Sequence, residues 1–318
     1  MIKLAFNVLR LVRPRQWIKN LAVFASITFT GGLFDAPTLT NAIGAFIVFC
    51  GLSSATYIIN DIFDIKKDRL HPFKKFRPIA HGDIPVSFGI SFAILLIVAS
   101  LFLAKTITPT FFAIGIVYLI IQFLYSIFLK SLAVVDILAI ASGYILRVYG
   151  GEFATGLHIS VWLLLTTISI SLFLAVGKRR SELTLLSANK EADIAATRQS
   201  LSHYSDRLLD VYASIFATST FIAYSLFTFL ENPGGFRLNI SLLVPDTLSA
   251  FFERKWLMIT ILPVVYGLMR YLQDIYEKHE GESPERVLLS DKPLLASVII
   301  WAIMVVVLIY FVSPSSAF

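Results

Sequence analysis

The chain has 318 residues, 57% of them hydrophobic and 15% charged, with one cysteine, Cys50, and a mean hydropathy of +0.77. Soluble domains carry roughly 45–50% apolar residues, so these figures exclude an ordinary soluble fold, a disordered chain and a disulfide-stapled domain. A net charge of +6 and a pI of about 9.3 would suit nucleic acid in a soluble protein, but the placement of the charges supplies a different reason.

Residues 1–15 come first, and Met1 to Val12 alternate basic and apolar positions. That pattern is too short for a signal-peptide core and reads as a helix lying in the membrane interface. Nine runs long enough to cross the hydrocarbon layer follow, at about 17–34, 41–62, 86–104, 109–129, 132–150, 158–177, 208–230, 256–273 and 294–312. Gly31-Gly32, Gly82, Pro109, Gly150-Gly151, Pro233-Gly234-Gly235 and Pro293 fall at or near their ends, where helix breakers cost least. The expected fold is an all-α integral membrane protein of nine transmembrane helices forming one domain over 1–318. Hydrophilic loops are expected at about 64–85, 178–207 and 274–293.

With the N-terminus in the cytoplasm, 22 of the 27 Lys and Arg residues fall on that side. Lys105, Arg237, Arg254 and Lys255 fall outside, and Arg147 lies within a span. Short cytoplasmic loops retain basic residues, so the N-terminus is expected inside, the C-terminus outside, and the protein in a bacterial-type inner membrane. The bias accounts for the high pI without nucleic acid.

The cytoplasmic end of the second span reads Asn60-Asp61-Ile62-Phe63-Asp64-Ile65-Lys66-Lys67-Asp68. If the helix continues, Asp61, Asp64 and Asp68 share one face with Asn60 beside them and Tyr57 one turn below. Three carboxylates on one face repel each other unless a cation neutralises them. Hard oxygen ligands at this spacing suit Mg²⁺ held partly through water and substrate phosphates. The alternative is a solvated acidic patch neutralised by Lys66, Lys67 and Arg69. The loop Arg69 to Gly82 follows, with Lys74, Lys75 and Arg77 in it. Cations beside a metal site suit a departing diphosphate, although a basic cytoplasmic flank has the same composition. His71 reads as an ordinary loop histidine, because Mg²⁺ prefers oxygen.

Further along, Tyr125 and Lys130 end the fourth span, and Asp136 and Arg147 lie in the fifth, about 16 Å apart along a helix. That separation excludes a direct pair. It leaves Arg147 to bridge another helix, to lie near the far interface with Glu152, or to serve the cavity. After the sixth span comes Gly177-Lys178-Arg179-Arg180-Ser181-Glu182. Its cations suit either an anionic ligand or a basic flank. Glu277, Glu280, Glu282 and Glu285 read as a solvated face, and Cys50 as a small buried residue.

The Asn-Asp-x-x-Asp-x-x-x-Asp run with its following Arg-Pro loop resembles the first signature of the UbiA superfamily of intramembrane prenyltransferases. The resemblance implies a helical bundle around a central cavity, open to the cytoplasm at the metal end and laterally to lipid, and Mg²⁺-dependent departure of diphosphate. Most members carry a second motif, Asp-x-x-x-Asp, after the sixth span; here Lys178, Arg179 and Arg180 stand there and Glu182 is the one acid left. That motif, with Arg13 to Asn20, Tyr125 to Lys130, Asp136, Arg147 and Asp274, is similar to the branch of decaprenyl-phosphate phosphoribosyltransferases. It implies 5-phosphoribosyl 1-diphosphate as donor and a polyprenyl phosphate as acceptor. Asp61 and Asp64 would then be catalytic, and Asn60, Asp61, Asp64 and Asp68 would hold Mg²⁺. Lys74, Arg77, Lys178 and Arg179 would hold phosphate oxygens, with Lys19, Tyr57, Tyr125, Lys130, Asp136, Arg147 and Glu182 as further substrate-binding candidates. The competing expectations are an aromatic prenyltransferase, which should show the second Asp-rich motif, and a transporter, which should spread charge through the midplane.

Overall fold

The computed structural model describes residues 2–70, 74–188, 199–231, 255–277 and 284–312, and the regular structure among them is helical. Helix α1 spans Ile2–Val12; a 3-10 helix, Pro14–Phe24, then runs into α2, Ala25–Phe29. Next come α3 (Ala36–Phe63), α4 (Ile65–Leu70), α5 (Pro78–His81), α6 (Val86–Ile107) and α7 (Pro109–Ile127). They are followed by α8 (Val135–Thr155), α9 (Val161–Ala188) and α10 (Asp206–Leu230). The chain closes with α11 (Ile261–Glu277), α12 (Pro284–Ser290) and α13 (Lys292–Val307).

Side chains set several of the starts. Asp35 accepts from the Thr38 amide at 3.1 Å, Thr108 from Phe111 at 3.0 Å, Ser205 from Leu208 at 3.2 Å and Asp291 from Leu294 at 2.8 Å. Each satisfies an amide that the first helical turn leaves without a partner. Three of these starts also carry a proline in the first turn, where its missing N–H costs nothing.

Among the described residues, seven helices are long and apolar enough to cross a membrane: α3, α6, α7, α9, α10, α11 with the turn before it, and α13 with the turn after it. The segments expected at 17–34 and 132–150 are not of this kind. The first is a 3-10 helix followed by one short α-helix. The second is α8, which carries Asp136, Arg147 and Glu152, all buried. Helix α8 packs against the 3-10 helix, α2, α3, α7 and α9, so protein surrounds it and its charges find protein partners. A helix in that position does not need an apolar surface.

The pair Gly150-Gly151 does not end this helix, which continues to Thr155 and stops at Gly156, whose φ is +73°. Both glycines serve close approach. A Cβ on Gly150 would lie 2.4 Å from the Phe49 ring, and one on Gly151 would lie 1.9 Å from the Val23 carbonyl oxygen. A backbone atom cannot turn aside as a side chain can, so Gly151→Ala must push the N-terminal segment off α8. Overpacking of this kind costs about 1–3 kcal/mol, and the upper end is expected here, measured as a lowered Tm of the purified protein in detergent.

An apolar groove of about 270 Å³ lies between α3, α6 and α7, with Ile59, Ile97, Leu119 and Phe123 in its walls and Thr56, Gln122 and Ser126 as its polar members.

Candidate active site

The site is built where the C-terminal end of α3 meets the N-terminal segment. Asp64 interrupts the helix between α3 and α4, but its amide still donates to the Asn60 carbonyl at 2.9 Å and the Asp68 amide donates to the Asp64 carbonyl at 2.8 Å. The break is therefore slight, and the acidic residues keep the spacing expected of a continued helix. Asp61 and Asp68 are both buried.

Each carboxylate meets a cation. Arg13 Nη2 lies 2.5 Å from Asp61 Oδ1, and Arg77 Nη1 lies 3.0 Å from the same oxygen and 2.6 Å from Asp68 Oδ2. Asp61 and Asp68 thus converge on a single guanidinium nitrogen. Asp64 turns to Lys130, at 2.7 Å, and accepts from Asn60 at 3.1 Å. Burial pushes the Asp68 carboxyl above its ordinary range, and Arg77 offsets this only in part. Such a carboxylate gains from any additional positive charge.

Among the described residues no three acids close on one point in metal-binding geometry. The donor set nonetheless fits Mg²⁺. Two hard carboxylates are already close enough to share one cationic atom, and Mg²⁺ commonly takes one or two carboxylates and completes its shell with water and phosphate.

The N-terminal segment supplies the facing wall through its unusual geometry. A 3-10 helix has three residues per turn, so positions three apart stand directly above one another, and runs beyond a few residues are uncommon. Here eleven residues adopt it, which stacks Gln16 and Lys19 in one row and Trp17 and Asn20 in another, while the left-handed turn at Arg13, just before the helix, brings that residue to the first row. The first row faces the acids: Arg13 lies over the Tyr57 ring at 5.1 Å, and Gln16 Oε1 accepts from Tyr57 at 3.2 Å and from Lys19 at 2.7 Å. The second row locks onto α3 and α8. Trp17 donates to Ser54 at 3.1 Å, and Asn20 meets Cys50 and Ser53 while accepting from Arg147 Nε at 2.6 Å.

Among the described residues, Arg13 and Val134 are the non-glycine residues with positive φ, at 53° and 69°. Both strained positions flank this site, where such strain tends to be retained. Arg13 turns the chain out of α1 toward Asp61. The Val134 amide donates to Tyr204 Oη at 2.6 Å, and that hydroxyl donates to Asp136 at 2.7 Å.

Arg147 resolves one open question. It is buried and meets no carboxylate among the described residues; besides Asn20 it donates to the Gly143 carbonyl and, at 3.0 Å, to Tyr118 Oη, and it lies over the Tyr118 ring at 5.1 Å. Glu152 instead meets His158 at 2.8 Å.

Lys178 to Glu182 lie on α9, which runs on to Ala188, and not in a loop beginning at 178. Arg179 and Asp136 are both completely buried and paired, Nε to Oδ2, at 2.7 Å. Arg179 also reaches Glu182 at 2.5 Å and Tyr125 Oη at 3.0 Å, and Asp136 accepts from Ser200 at 3.0 Å. Four expected substrate ligands, Tyr125, Asp136, Arg179 and Glu182, therefore form one connected network joining α7, α8 and α9. Burial and the bond to Asp136 raise the Tyr204 phenol above its ordinary range. Arg180, next along, ties α9 to α10 through Asp206 at 2.9 Å and Asp210 at 2.7 Å.

Three participants were not anticipated. Gln16 needed the three-residue period of the 3-10 helix to be seen, and Arg13 the left-handed turn before it. Glu285, expected on a solvated face, is buried and lies 2.9 Å from Lys19. Burial alone would raise its carboxyl, and the Lys19 ammonium overrides this and holds it below the usual carboxylate range. His71, Pro72 and Phe73 of the basic loop, and Glu280 and Glu282, lie outside the described residues.

This is a helical membrane protein with an acidic helix face, cations paired to it, and a basic helix end close by: the arrangement of an intramembrane enzyme handling phosphorylated substrates. The UbiA prenyltransferase family model matches residues 21–289, and the chain belongs to that family. It is 36% identical over 312 residues to the decaprenyl-phosphate phosphoribosyltransferase of Mycolicibacterium smegmatis, covering 97% of this chain and 94% of that one. It is 34% identical over 302 residues to the protein of the same name from Mycobacterium tuberculosis, covering 94% and 92%. Among solved structures, a UbiA homologue from Archaeoglobus fulgidus bound to DMAPP and Mg²⁺ superposes with a TM-score of 0.67 at 19% identity, over 94% of this chain and 98% of that one.

Proposed function

We propose that the protein transfers the 5-phosphoribosyl group from 5-phosphoribosyl 1-diphosphate to a polyprenyl phosphate, giving polyprenylphosphoryl-5-phosphoribose and diphosphate. The observation that carries this reading is the near-full-length likeness to proteins named decaprenyl-phosphate phosphoribosyltransferase. The charge inventory supports it. Donor and acceptor bring a diphosphate, a 5-phosphate and a lipid phosphate together, and the site offers Arg13, Lys19, Arg77 and Lys130 around one acidic face.

Asp61 and Asp68, with Asp64 and Asn60, would hold Mg²⁺, which when bound offsets charge on the departing diphosphate. Arg77, Arg13 and Lys130 stand against these carboxylates and can shift their donors to phosphate oxygens, and Lys74, within electrostatic range of Asp68, and Lys178, within that of Glu285, would join them. The C1–O bond breaks with its electron pair leaving on diphosphate, and an oxygen of the lipid phosphate forms the new bond to C1. That oxygen is already ionised near neutral pH, so no general base is needed. Positioning and electrostatic stabilisation of the leaving group supply the catalysis. The Tyr125, Asp136, Arg179 and Glu182 network, built on the buried Arg179–Asp136 pair, positions Lys178, and Arg147 pins the N-terminal segment through Asn20.

The finer membrane placement belongs to the same proposal: nine crossings in an inner membrane, N-terminus and active site cytoplasmic. The Pro14–Phe29 segment supports the count, because Arg13 meets Asp61 near one end of α3 while Tyr310 donates to Ile27 O at 2.6 Å and accepts from the Leu33 amide near the other.

The test uses purified protein in detergent with Mg²⁺ and a polyprenyl phosphate, following label from 5-phosphoribosyl 1-diphosphate into the lipid phase. Transfer is expected with Mg²⁺ and is expected to fall to background with EDTA. Turnover of an isoprenyl diphosphate onto an aromatic acid, with no ribosyl transfer, would overturn the reading.

A further inference from the structure

Lys19 and Glu285 pair at 2.9 Å, Tyr144 lies within electrostatic range of both, and Tyr271 within that of Tyr144 and Glu285, the four drawn from the N-terminal segment, α12, α8 and α11. Two of them keep hydrogen-bonding capacity that the described residues do not use. Glu285 is buried, and Lys19 and its own backbone amide are the donors described at its carboxylate. An ionised carboxylate can accept about four hydrogen bonds. The Tyr271 hydroxyl is buried and has no hydrogen-bond partner among the described residues. It is held in place tightly, for a Cβ on Gly177 would lie 3.0 Å from it and 2.8 Å from Ile275. Buried polar groups are paired as a rule, and those that are not call for an explanation.

A ligand that completes this corner must offer hydroxyl groups. It needs protons to give to a carboxylate that accepts only, and an oxygen for a phenol that both gives and takes. An anionic group beside the hydroxyls would suit Lys19. An isoprenyl diphosphate has no hydroxyl on its transferred group; a ribosyl donor has two adjacent ones. We propose that Glu285, with Tyr271, receives the ribose 2- and 3-hydroxyls of the donor and makes the site selective for a phosphosugar over an isoprenyl diphosphate. This rests on the donor assigned under Proposed function.

Steady-state transfer by the full chain in detergent, with Mg²⁺ and polyprenyl phosphate, tests it. The donors are 5-phosphoribosyl 1-diphosphate and its 2-deoxy and 3-deoxy counterparts, and inorganic diphosphate serves as a sugar-free inhibitor. Wild type, Glu285→Gln and Tyr271→Phe are compared, the last removing one hydroxyl without altering shape. Hydrogen bonds to a charged acceptor are worth about 10- to 100-fold. Glu285→Gln is accordingly expected to raise KM for the ribosyl donor about 30-fold. The wild-type penalty for losing a donor hydroxyl, about 30-fold, is expected to shrink to about threefold in that variant. Inhibition by diphosphate is expected to stay within about twofold. Tyr271→Phe is expected to move KM the same way by less, and it carries the test should Glu285→Gln fail to fold.

A full deoxy penalty retained in both variants would overturn the proposal. So would diphosphate inhibition weakening in step with KM, because Glu285 would then act only by orienting Lys19. A wild type that transfers no ribosyl group overturns the donor assignment itself, and is told apart from the other two by its lack of activity before any substitution.

Discussion

Asp61→Asn is expected to lower the rate of ribosyl transfer by at least about a thousand-fold in a protein that still folds. Asp61 is buried and holds Arg13 and Arg77 at one oxygen, while Arg77 also holds Asp68. The amide keeps the shape and an acceptor for one guanidinium, so the bundle is retained. It removes a negative charge, leaving two arginines against fewer carboxylates and one hard ligand fewer for Mg²⁺. Asp64→Asn is expected to fall short of this, because Asp64 faces Lys130 and Asn60 at the break between α3 and α4. Both variants are assayed for kcat, and for Tm to confirm folding. Transfer by a folded Asp61→Asn within about tenfold of wild type would remove Asp61 from the catalytic machinery.

The acidic face was legible because its information is local. Asn60, Asp61, Asp64 and Asp68 sit on one stretch of helix, and helical spacing alone places them together. The helix bounds at Pro109 and Pro293 were legible for the same reason, since proline in a first turn and a capping side chain before it act within a few residues. Glu285 was not legible. Four glutamates between 277 and 285 look like a solvated run, and only the path of α12 brings one of them to Lys19, near the other end of the chain.

The 3-10 helix at Pro14–Phe24 illustrates a different limit. Its residues carry an apolar run that hydropathy reads as an ordinary span, but hydropathy does not report the period. A change from 3.6 to three residues per turn decides that Gln16 and Lys19 stand in one column, and the left-handed turn at Arg13 brings that residue beside them. Helix α8 shows the converse, for Asp136, Arg147 and Glu152 look costly in a lipid-facing helix and are paired in one that protein encloses. Gly150 and Gly151, likewise, look like a helix end until the backbone of Val23 is seen against them.

The Arg179–Asp136 pair separates the expectation from sequence, that both touch substrate, from the structural role its enclosure indicates. Both side chains are fully buried at 2.7 Å. Replacing Arg179 leaves Asp136 charged in a low-dielectric interior with the Ser200 and Tyr204 hydroxyls as its remaining described partners, at a cost of about 3–5 kcal/mol, whereas replacing Asp136 leaves Arg179 its second carboxylate, Glu182. Arg179→Gln and Asp136→Asn are each expected to lower Tm, Arg179→Gln the more strongly. The double variant is expected to lose less than the sum, because the pair acts as a unit. Asp136→Asn also disturbs Ser200 and Tyr204, which donate to that carboxylate at 3.0 and 2.7 Å. Arg179→Gln also removes its bonds to Glu182 and Tyr125. The cost is therefore shared among α7, α8 and α9, and donor KM should move only as far as Lys178 is displaced. Thermal unfolding and steady-state kinetics on the same preparations decide the matter. A folded Arg179→Gln with Tm unchanged and donor KM raised about 30-fold would show that the guanidinium leaves Asp136 to bind phosphate. A large fall in Tm, with near-normal KM in the fraction that stays folded, would establish the pair as the clamp that holds the basic end of α9 at the site.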